Sequence, residues 1–435
     1  MNQKQSSKST STPPLPELLA PAGSFEKLVT AIHYGADAVY LGGSKYGLRA
    51  KAGNFSDDSI RDAVRYAHHY EVSVYVTVNI IAHEDDFDGL ADYLRFLESA
   101  GVDGLIISDP GILVLARKSV PGLAVHLSTQ ANVTNSATAS FWSEQGVVRL
   151  NLARELSLQE IKQIRTATAV ELEVFVHGAL CISYSGRCML SNYMTGRDAN
   201  QGKCAHPCRY NYSLVEEKRP GEYFQVEEDQ RGTYIFNSKD LCLLRRLPEL
   251  VAAGINAVKI EGRMKSIFYV GGVVRVYRAA LDYLASLDVS AWEQPENIMI
   301  PDEMLQEIAR TGTRDSTENF FDNRPGAAEM LYQTSRFDQL YEPVAVIREI
   351  KDSPVVEARN VLLTGEQIEY MERSIKVRRF VVDKMTDEKG AAIQRANPGN
   401  RVKLVLRGDP GVLKENGIFR RRKPLLENGS APARR

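Results

Sequence analysis

The chain has 435 residues, 43% of them apolar and 25% charged, and its 54 Lys+Arg against 55 Asp+Glu leave a net charge of −1. These values sit on the averages for water-soluble globular proteins and exclude collagen-like, wholly disordered and membrane-protein compositions. The balanced charge also excludes a global field drawing the molecule onto nucleic acid or anionic lipid, so any such binding has to come from a local patch.

No run approaches the ~18 consecutive apolar residues of a membrane span, and the N-terminus lacks the apolar core of a secretory signal. A cytoplasmic protein without a membrane partner is therefore expected. Residues 1–15 are polar and Ser/Thr-rich, lead into prolines, and read as a disordered tail.

From residue 16 to about residue 290, a β-branched apolar run, a turn and an amphipathic helical stretch recur eight times. The strand candidates are Pro16–Ala22, Ala36–Leu41, Ser73–Asn79, Gly104–Asp109, Ala124–Gln130, Val147–Ala153, Glu171–Val176 and Ile255–Glu261. Most are almost continuously apolar, as parallel strands covered on both faces are. Helices are predicted between them, among them Ser24–Tyr34, Asp57–His69 and Glu84–Ala100, with Ser24, Asp57 and Ser157 as N-caps. Gly35, Gly101, Gly146 and Gly254 stand where helices end, since glycine takes the left-handed conformation without a Cβ penalty. Eight such units in one domain-sized stretch predict an α/β fold, a (β/α)8 TIM-like barrel; a doubly wound open sheet, usually of five or six strands, is the alternative.

The rhythm breaks once. Between the seventh and eighth strand candidates lie 78 residues. Asn237–Ala253 reads as the missing helix, which leaves residues 179–236 as an insertion. Loops that follow barrel strands line the face where this fold does its chemistry, so the insertion is the first place to seek a site. After the eighth strand, Ser266–Ala285 reads as the closing helix, with a Gly271-Gly272 pair that either kinks it or allows close packing. Residues 291–340 read as a linker. Residues 341–425 carry short alternating runs (PVAVIREI, VVEARNVL, IKVRRFVVDK, RVKLVLRG) that predict a small β-barrel-like domain, and residues 426–435 form a basic tail. Residues 401–435 hold ten Lys+Arg against three Asp+Glu. Arg420, Arg421 and Arg422, with Arg378 and Arg379, make either a solvated basic surface or an RNA-facing patch.

All five cysteines, Cys181, Cys188, Cys204, Cys208 and Cys242, fall within 62 residues. Thiols clustered in a chain of cytosolic character point to metal or redox chemistry before disulfides. The intervals are C-x6-C, x15, C-x3-C and x33, without the C-x2-C of a zinc ribbon. Four thiolates serve a structural zinc or an iron–sulfur cluster, and the spacing leaves both open beside unliganded or catalytic cysteines. A cysteine protease pairs a thiolate with a histidine base, and His177 and His206 lie near these thiols in sequence. Neither a G-x-S-x-G elbow near a strand end nor an HExxH motif is present.

The stretch from Glu173 to Ser191, EVFVHGALCISYSGRCMLS, resembles the signature of the U32 peptidase, or collagenase-like protease, family. An acid and Phe, Gly-Ala-Leu-Cys, Ser-Gly-x-Cys and a closing Leu-Ser all match. The segments LLAPAG from Leu18, ADAVYLGG from Ala36, TGRDANQGKC from Thr195, NSKDLC from Asn237 and VKIEGRMKS from Val258 extend the likeness over residues 16–430. The resemblance is strongest to the branch that acts on tRNA. It implies oxygen-independent, prephenate-dependent hydroxylation of the wobble uridine to 5-hydroxyuridine, with a [4Fe-4S] cluster. Other branches hydroxylate a cytidine of 23S ribosomal RNA or quinone precursors, and peptidase activity is the family's older attribution. The implied cluster ligands are Cys181, Cys188, Cys204 and Cys208, with Cys242 as rival for the fourth place. The implied partners are tRNA and prephenate, and a paralogous family member is a further option.

In that reading a redox cofactor carries the electrons, and arginines at strand ends hold a dicarboxylate. Arg154, Arg187 and Arg263 are the candidates, with ion pairs to Glu155, Asp198 or Glu261 as the competing explanation. His177 and Glu261 end strands seven and eight, where acid–base groups belong, so the expected catalytic residues are His177, Glu261 and Arg263. Gln130, Asn132 and Asn79 cap strands and either read a base edge or tie loops. Tyr184, Tyr193 and Tyr210 either stack a base or pack in the core. A zinc-stabilised RNA-binding module without catalysis is the non-enzymatic alternative.

Overall fold

The structure, a computed structural model, describes residues 12–47, 54–181, 183–188, 190–205, 207, 214–215, 223–224, 227–229, 232–234, 239–312, 315–322, 339–409 and 411–423. The chain divides into two compact units, Met1–Leu305 with Arg314–Phe337, and Gln306–Thr313 with Asp338–Arg435.

In the first unit, strands and helices alternate: β1 (Glu17–Pro21), α1 (Phe25–His33), β2 (Ala38–Gly42), α2 (Asp57–His69), β3 (Ser73–Val78), α3 (Leu90–Ser99), β4 (Gly104–Ile107), α4 (Pro110–Ser119), β5 (Ala124–Leu127), α5 (Ser136–Glu144), β6 (Arg149–Asn151), α6 (Leu158–Ala167) and β7 (Glu171–Ala179). Helix α7 (Leu190–Thr195) and the short hairpins β8 (Leu214–Val215) with β9 (Tyr223–Phe224) and β10 (Glu227–Asp229) with β11 (Gly232–Tyr234) occupy the insertion. Then come β12 (Asp240–Cys242), α8 (Leu247–Ala252), β13 (Ala257–Ile260), α9 (Ile267–Ala285), α10 (Asp302–Ala309) and β14 (Ser316–Thr317). Strands β1 to β7 pair in sequence order, and β13 pairs in parallel with both β7 and β1, closing an eight-stranded barrel. All eight expected strands are present, and β2, β4 and β13 are buried along their whole length, as the apolar runs require.

The helix boundaries differ in three places. Ser56, not Asp57, caps α2, because its Oγ accepts from the Ser59 amide. The stretch expected as one helix from Glu84 splits into a 3-10 turn, Glu84–Phe87, and α3, because Gly89 between them has φ 75. The expected helix Asn237–Ala253 is instead β12, a 3-10 turn and the short α8. Strand β12 runs antiparallel to the protruding end of β7, with Cys242 opposite His177. Gly271 serves close packing within an unbroken helix. A Cβ there would lie 2.8 Å from the Tyr34 ring, so its absence lets α9 settle against the end of α1.

The second unit is built from β15 (Tyr341–Ile350), β16 (Pro354–Ala358), β17 (Leu362–Leu363), β18 (Gln367–Met371), β19 (Val377–Thr386), β20 (Ala392–Ile393), β21 (Arg395–Ala396), β22 (Arg401–Gly408) and β23 (Ile418–Arg422). The order β18-β23-β15-β16-β22-β19 closes through β18–β19 into a six-stranded antiparallel barrel. Val344, Ile347, Val356, Tyr370, Val382, Leu404 and Phe419 are among the buried residues that fill it. The alternating runs locate β15, β16, β19 and β22. They miss β18 and β23, the latter because three consecutive arginines hide its inward side chains.

Candidate active site at the barrel mouth

Side chains two apart on a strand share a face, and the contacts show which set points inward. Leu19, Ala38, Tyr40, Tyr75 and Ile106 pack together inside the barrel. On the same faces, further from the strand N-termini, lie Gly42 on β2, Thr77 on β3 and Asn79 just beyond it, Ser108 after β4, Ser128 and Gln130 after β5, Asn151 on β6, and Glu261 and Arg263 after β13. The residues at the strand C-termini thus make a polar layer at the end where this fold carries its sites.

Beneath that layer the interior is charged and its charges are paired, while Glu173 Oε2 and His126 Nδ1 lack a hydrogen-bond partner among the described residues. Arg149 reaches Glu17 at 2.6 Å and Glu171 at 2.7 Å, and lies 5.4 Å from the Tyr75 ring centre. Lys259 pairs with Glu173 at 2.8 Å, both almost fully buried, and lies 4.6 Å from the Tyr40 ring and 5.3 Å from that of Phe175. Burial raises the Glu17 carboxyl, against the pull of Arg149. Burial, with the Arg149 and Lys259 cations, holds His126 neutral, well below the ordinary imidazole range.

At the mouth, the Tyr40 hydroxyl donates to Glu261 Oε2 at 3.1 Å, or to the Ile260 carbonyl at 3.0 Å. Arg263, almost fully buried, donates from Nη1 to Thr77 Oγ1 at 3.2 Å. Its guanidinium fits there because Gly42 has no side chain; a Cβ would stand 2.3 Å from Nη1. The Asn79 amide donates to Gln130 Oε1 at 2.8 Å, and Ser128 Oγ reaches the same oxygen at 3.1 Å. Thr77 on β3 thus holds Arg263, Asn79 just beyond it holds Gln130, and Tyr40 on the neighbouring β2 holds Glu261.

The cysteine-bearing loop is tied to this mouth. Arg187, exposed at its tip, donates from Nε to the Gln130 carbonyl at 2.8 Å. Asn200 clasps Cys188, accepting from its amide and donating to its carbonyl at 3.2 Å each, and its own carbonyl accepts from Ile81 beyond β3. Arg197 holds the Cys204 carbonyl at 3.2 Å. Cys181 is exposed, Cys188 buried and Cys204 half-buried, and none of the three is in a disulfide. Among the described residues, no three His, Cys, Asp or Glu side chains come together to hold a metal ion. Cys208, His206 and Tyr210 lie outside the described residues, as does the Tyr193 side chain.

Other expected residues are placed differently. His177 does not face the mouth. A register shift in the β7–β13 pairing turns it onto α9, its ring 6.0 Å from Tyr269 and 5.6 Å from Tyr277. Burial lowers it to about 4, against the opposing pull of Asp240. It is therefore a neutral group in the helix–barrel interface. Cys242 stands across from it on a strand, not on the expected helix, and burial pushes its thiol up, with Tyr277 as hydrogen-bond partner. Arg154 lies 5.6 Å from the Phe175 ring and donates to the Ala179 carbonyl at 3.5 Å, while Glu155 binds Ser185 and not Arg154. Asn132 turns the chain at φ 54, and Tyr184 is exposed.

The expected RNA-facing arginines separate as well. Arg420 is fully buried and held by Glu307 and Glu369, so it offers nothing to a phosphate. Arg421 is engaged by Glu342 and Glu366, and Arg378 by Glu372. Arg379 and Arg422 remain exposed. The sequence reading passed over Lys259, Glu173, Tyr40 and Asn151. The available signal was a charged or amide residue inside an otherwise apolar parallel strand, where burial conflicts with polarity.

A (β/α)8 barrel with a polar mouth, a cysteine-bearing loop and a separate antiparallel β-barrel defines the class. The family model described as "Peptidase family U32" matches residues 23–331, and "Peptidase family U32 C-terminal domain" matches residues 339–420. The chain belongs to peptidase family U32 and is an enzyme of that family. It is 40% identical to tRNA hydroxylation protein P1 of Bacillus subtilis (strain 168), over 88% of this chain and 89% of that one. It is 35% identical to tRNA hydroxylation protein P of Escherichia coli (strain K12), over 88% and 92%. It is 36% identical to the 23S rRNA 5-hydroxycytidine C2501 synthase of the same organism, over 71% of this chain and 46% of that one. Among the described residues, no helix is long and apolar enough to cross a membrane.

Proposed function

We propose that this protein is a cytoplasmic tRNA-modifying enzyme that hydroxylates the wobble uridine to 5-hydroxyuridine, with prephenate as co-substrate and a [4Fe-4S] cluster held by Cys181, Cys188, Cys204 and Cys208. The observation that carries the reading is the near-full-length similarity to two proteins named for tRNA hydroxylation. The donor set fits the cluster in kind: three thiols outside any disulfide lie in one insertion, on either side of α7, with the backbone pinned at Cys188 and Cys204. A cubane takes one thiolate per iron and spreads its ligands more widely than a single tetrahedral ion does. Burial raises the Cys242 thiol, which disfavours the thiolate that a metal would need there. When bound, the cluster supplies the electron transfer that side chains cannot.

The rest falls to the chain's own residues. Arg263 gives the mouth a guanidinium suited to a dicarboxylate. Glu261, set by the Tyr40 hydroxyl, is placed to hold or move a proton at its carboxylate. Arg187 fastens the cysteine loop to the rim, where it helps to exclude water.

Protein purified without oxygen should contain iron and sulfide and absorb in the iron–thiolate region. Cys181→Ala and Cys188→Ala should lose both properties, whereas Cys242→Ala should keep them. In cells lacking the gene, nucleoside mass spectrometry of tRNA should show loss of 5-hydroxyuridine derivatives, restored by the wild-type gene and not by Cys188→Ala. Unchanged wobble uridines would refute the tRNA assignment, and stoichiometric zinc in colourless protein would refute the cluster.

A further inference from the structure

Two buried amide atoms at the mouth have no partner among the described residues. Gln130 is 3% exposed and its Nε2 is unpaired; Asn151 is 2% exposed and its Oδ1 is unpaired. Buried polar atoms are nearly always matched, and those left open within a functional cavity mark where a ligand completes them. The two are neighbours. Leu127 pairs with Leu150, so Ser128 follows beside Asn151, and Ser128 Oγ bonds the Gln130 side chain. The rest of the Gln130 amide is already committed, its Oε1 accepting from Asn79 and Ser128, which directs the NH2 group away from them. The mouth therefore presents a fixed donor and an adjacent acceptor.

We infer that Gln130 and Asn151 read the hydrogen-bonding edge of the pyrimidine admitted to the mouth, Gln130 donating to a ring carbonyl and Asn151 accepting the ring N3–H. This rests on the RNA-hydroxylase reading and deepens it. An imide, with an N–H flanked by carbonyls, complements such a pair, and uracil carries that imide; cytosine has no hydrogen on N3 and meets an acceptor only through its exocyclic amine, one position along the edge. A base taken out of its stack into a pocket is read in this way, along its pairing edge. Gln130 and Asn151 would thus set specificity, while the electron chemistry lies elsewhere.

The test is equilibrium binding of the full chain to an anticodon-loop RNA hairpin carrying uridine or 3-methyluridine at the wobble position, the methyl group removing the N3–H. Wild type should prefer uridine roughly tenfold, the size of one good base contact. Asn151→Ala removes the acceptor and should bring the ratio to within about twofold, whereas Gln130→Glu keeps the acceptor for Asn79 and Ser128 but loses the donor to a carbonyl that both bases carry, so it should weaken both hairpins about tenfold and leave the ratio in place. Because the ratio is taken within each protein, a partly unfolded variant lowers both affinities together. Rescue of the ratio in Asn151→Asp, which restores the acceptor, should follow. Equal binding of the two hairpins by wild type, an unchanged ratio in Asn151→Ala, or undiminished binding of both hairpins by Gln130→Glu would overturn this inference and leave the hydroxylase reading standing. Absence of any hairpin binding by wild type would overturn both.

Discussion

In the lower half of the barrel interior, Arg149 meets Glu17 and Glu171, and Lys259 meets Glu173. At the mouth, one layer above, Gln130 and Asn151 each keep a buried polar atom without a partner among the described residues. Both layers put polar groups where the strands are otherwise apolar, yet among the described residues the lower pairs its charges, with Glu173 Oε2 and His126 Nδ1 left over, whereas the mouth leaves neutral amide atoms open. Buried polar groups that satisfy one another specify the fold, whereas those left open are held for something that arrives.

The sharpest way to break this comparison is to orphan a matched charge. Glu173→Leu leaves the Lys259 ammonium buried without its counter-ion, at an expected cost of about 3–5 kcal/mol. The double variant Glu173→Leu with Lys259→Met should recover most of that, since an apolar pair of similar volume replaces a buried ion pair at little cost. Asn151→Leu, one layer up, removes an atom that is already unmatched, so its effect on stability should be near zero or favourable. Denaturant unfolding of the three proteins measures the contrast. A loss for Asn151→Leu as large as that for Glu173→Leu would show the mouth to be as self-satisfied as the layer below.

A third treatment of a buried polar group is to keep it uncharged, as at His177, which lies against the α9 tyrosines with Asp240 and Lys265 as the charges acting on it. Its folded value of about 4 lies below the unfolded 6.5. Below pH 6.5 the unfolded chain takes up a proton that the folded chain refuses. Stability is therefore full above that pH and falls as the pH drops toward 4, by about 3 kcal/mol in all. His126 acts in the same direction. In unfolding measured from pH 7 to pH 4, His177→Asn should flatten part of the acid slope, and an unchanged slope would mean that the imidazole titrates normally.

The barrel was legible because parallel strands covered on both faces write themselves as apolar runs, and each run is separated by a full helix. Cys242 was misplaced because NSKDLC carries a capping pattern, while the pairing of β12 with β7 depends on contacts distant in sequence. His177 was misplaced for a related reason: alternation along β7 points it inward, and only the register shift against β13 turns it out. Arg420 shows the limit most plainly. In sequence it belongs to a basic run, and only the closure of the second barrel brings Glu369 on β18 to its guanidinium. At the mouth, Glu261, Arg263 and Gln130 were legible from their places at strand ends. Asn151 was not, because a single amide within a short strand has no pattern of its own.

A matched polar pair in water tests whether burial, and not matching alone, gives the lower layer its weight. Ser157 caps α6 with a reciprocal arrangement, its amide donating to Glu160 Oε2 at 2.8 Å and its Oγ accepting from the Glu160 amide at 3.4 Å. The pairing is as direct as that of Lys259 with Glu173, but water can replace each of these bonds. Ser157→Ala should therefore cost about 1 kcal/mol, a fraction of the Glu173→Leu effect, in the same unfolding measurement. Equal losses at the two sites would mean that the interior ion pair is solvated in the folded state, and the barrel would then have to admit water far below its mouth.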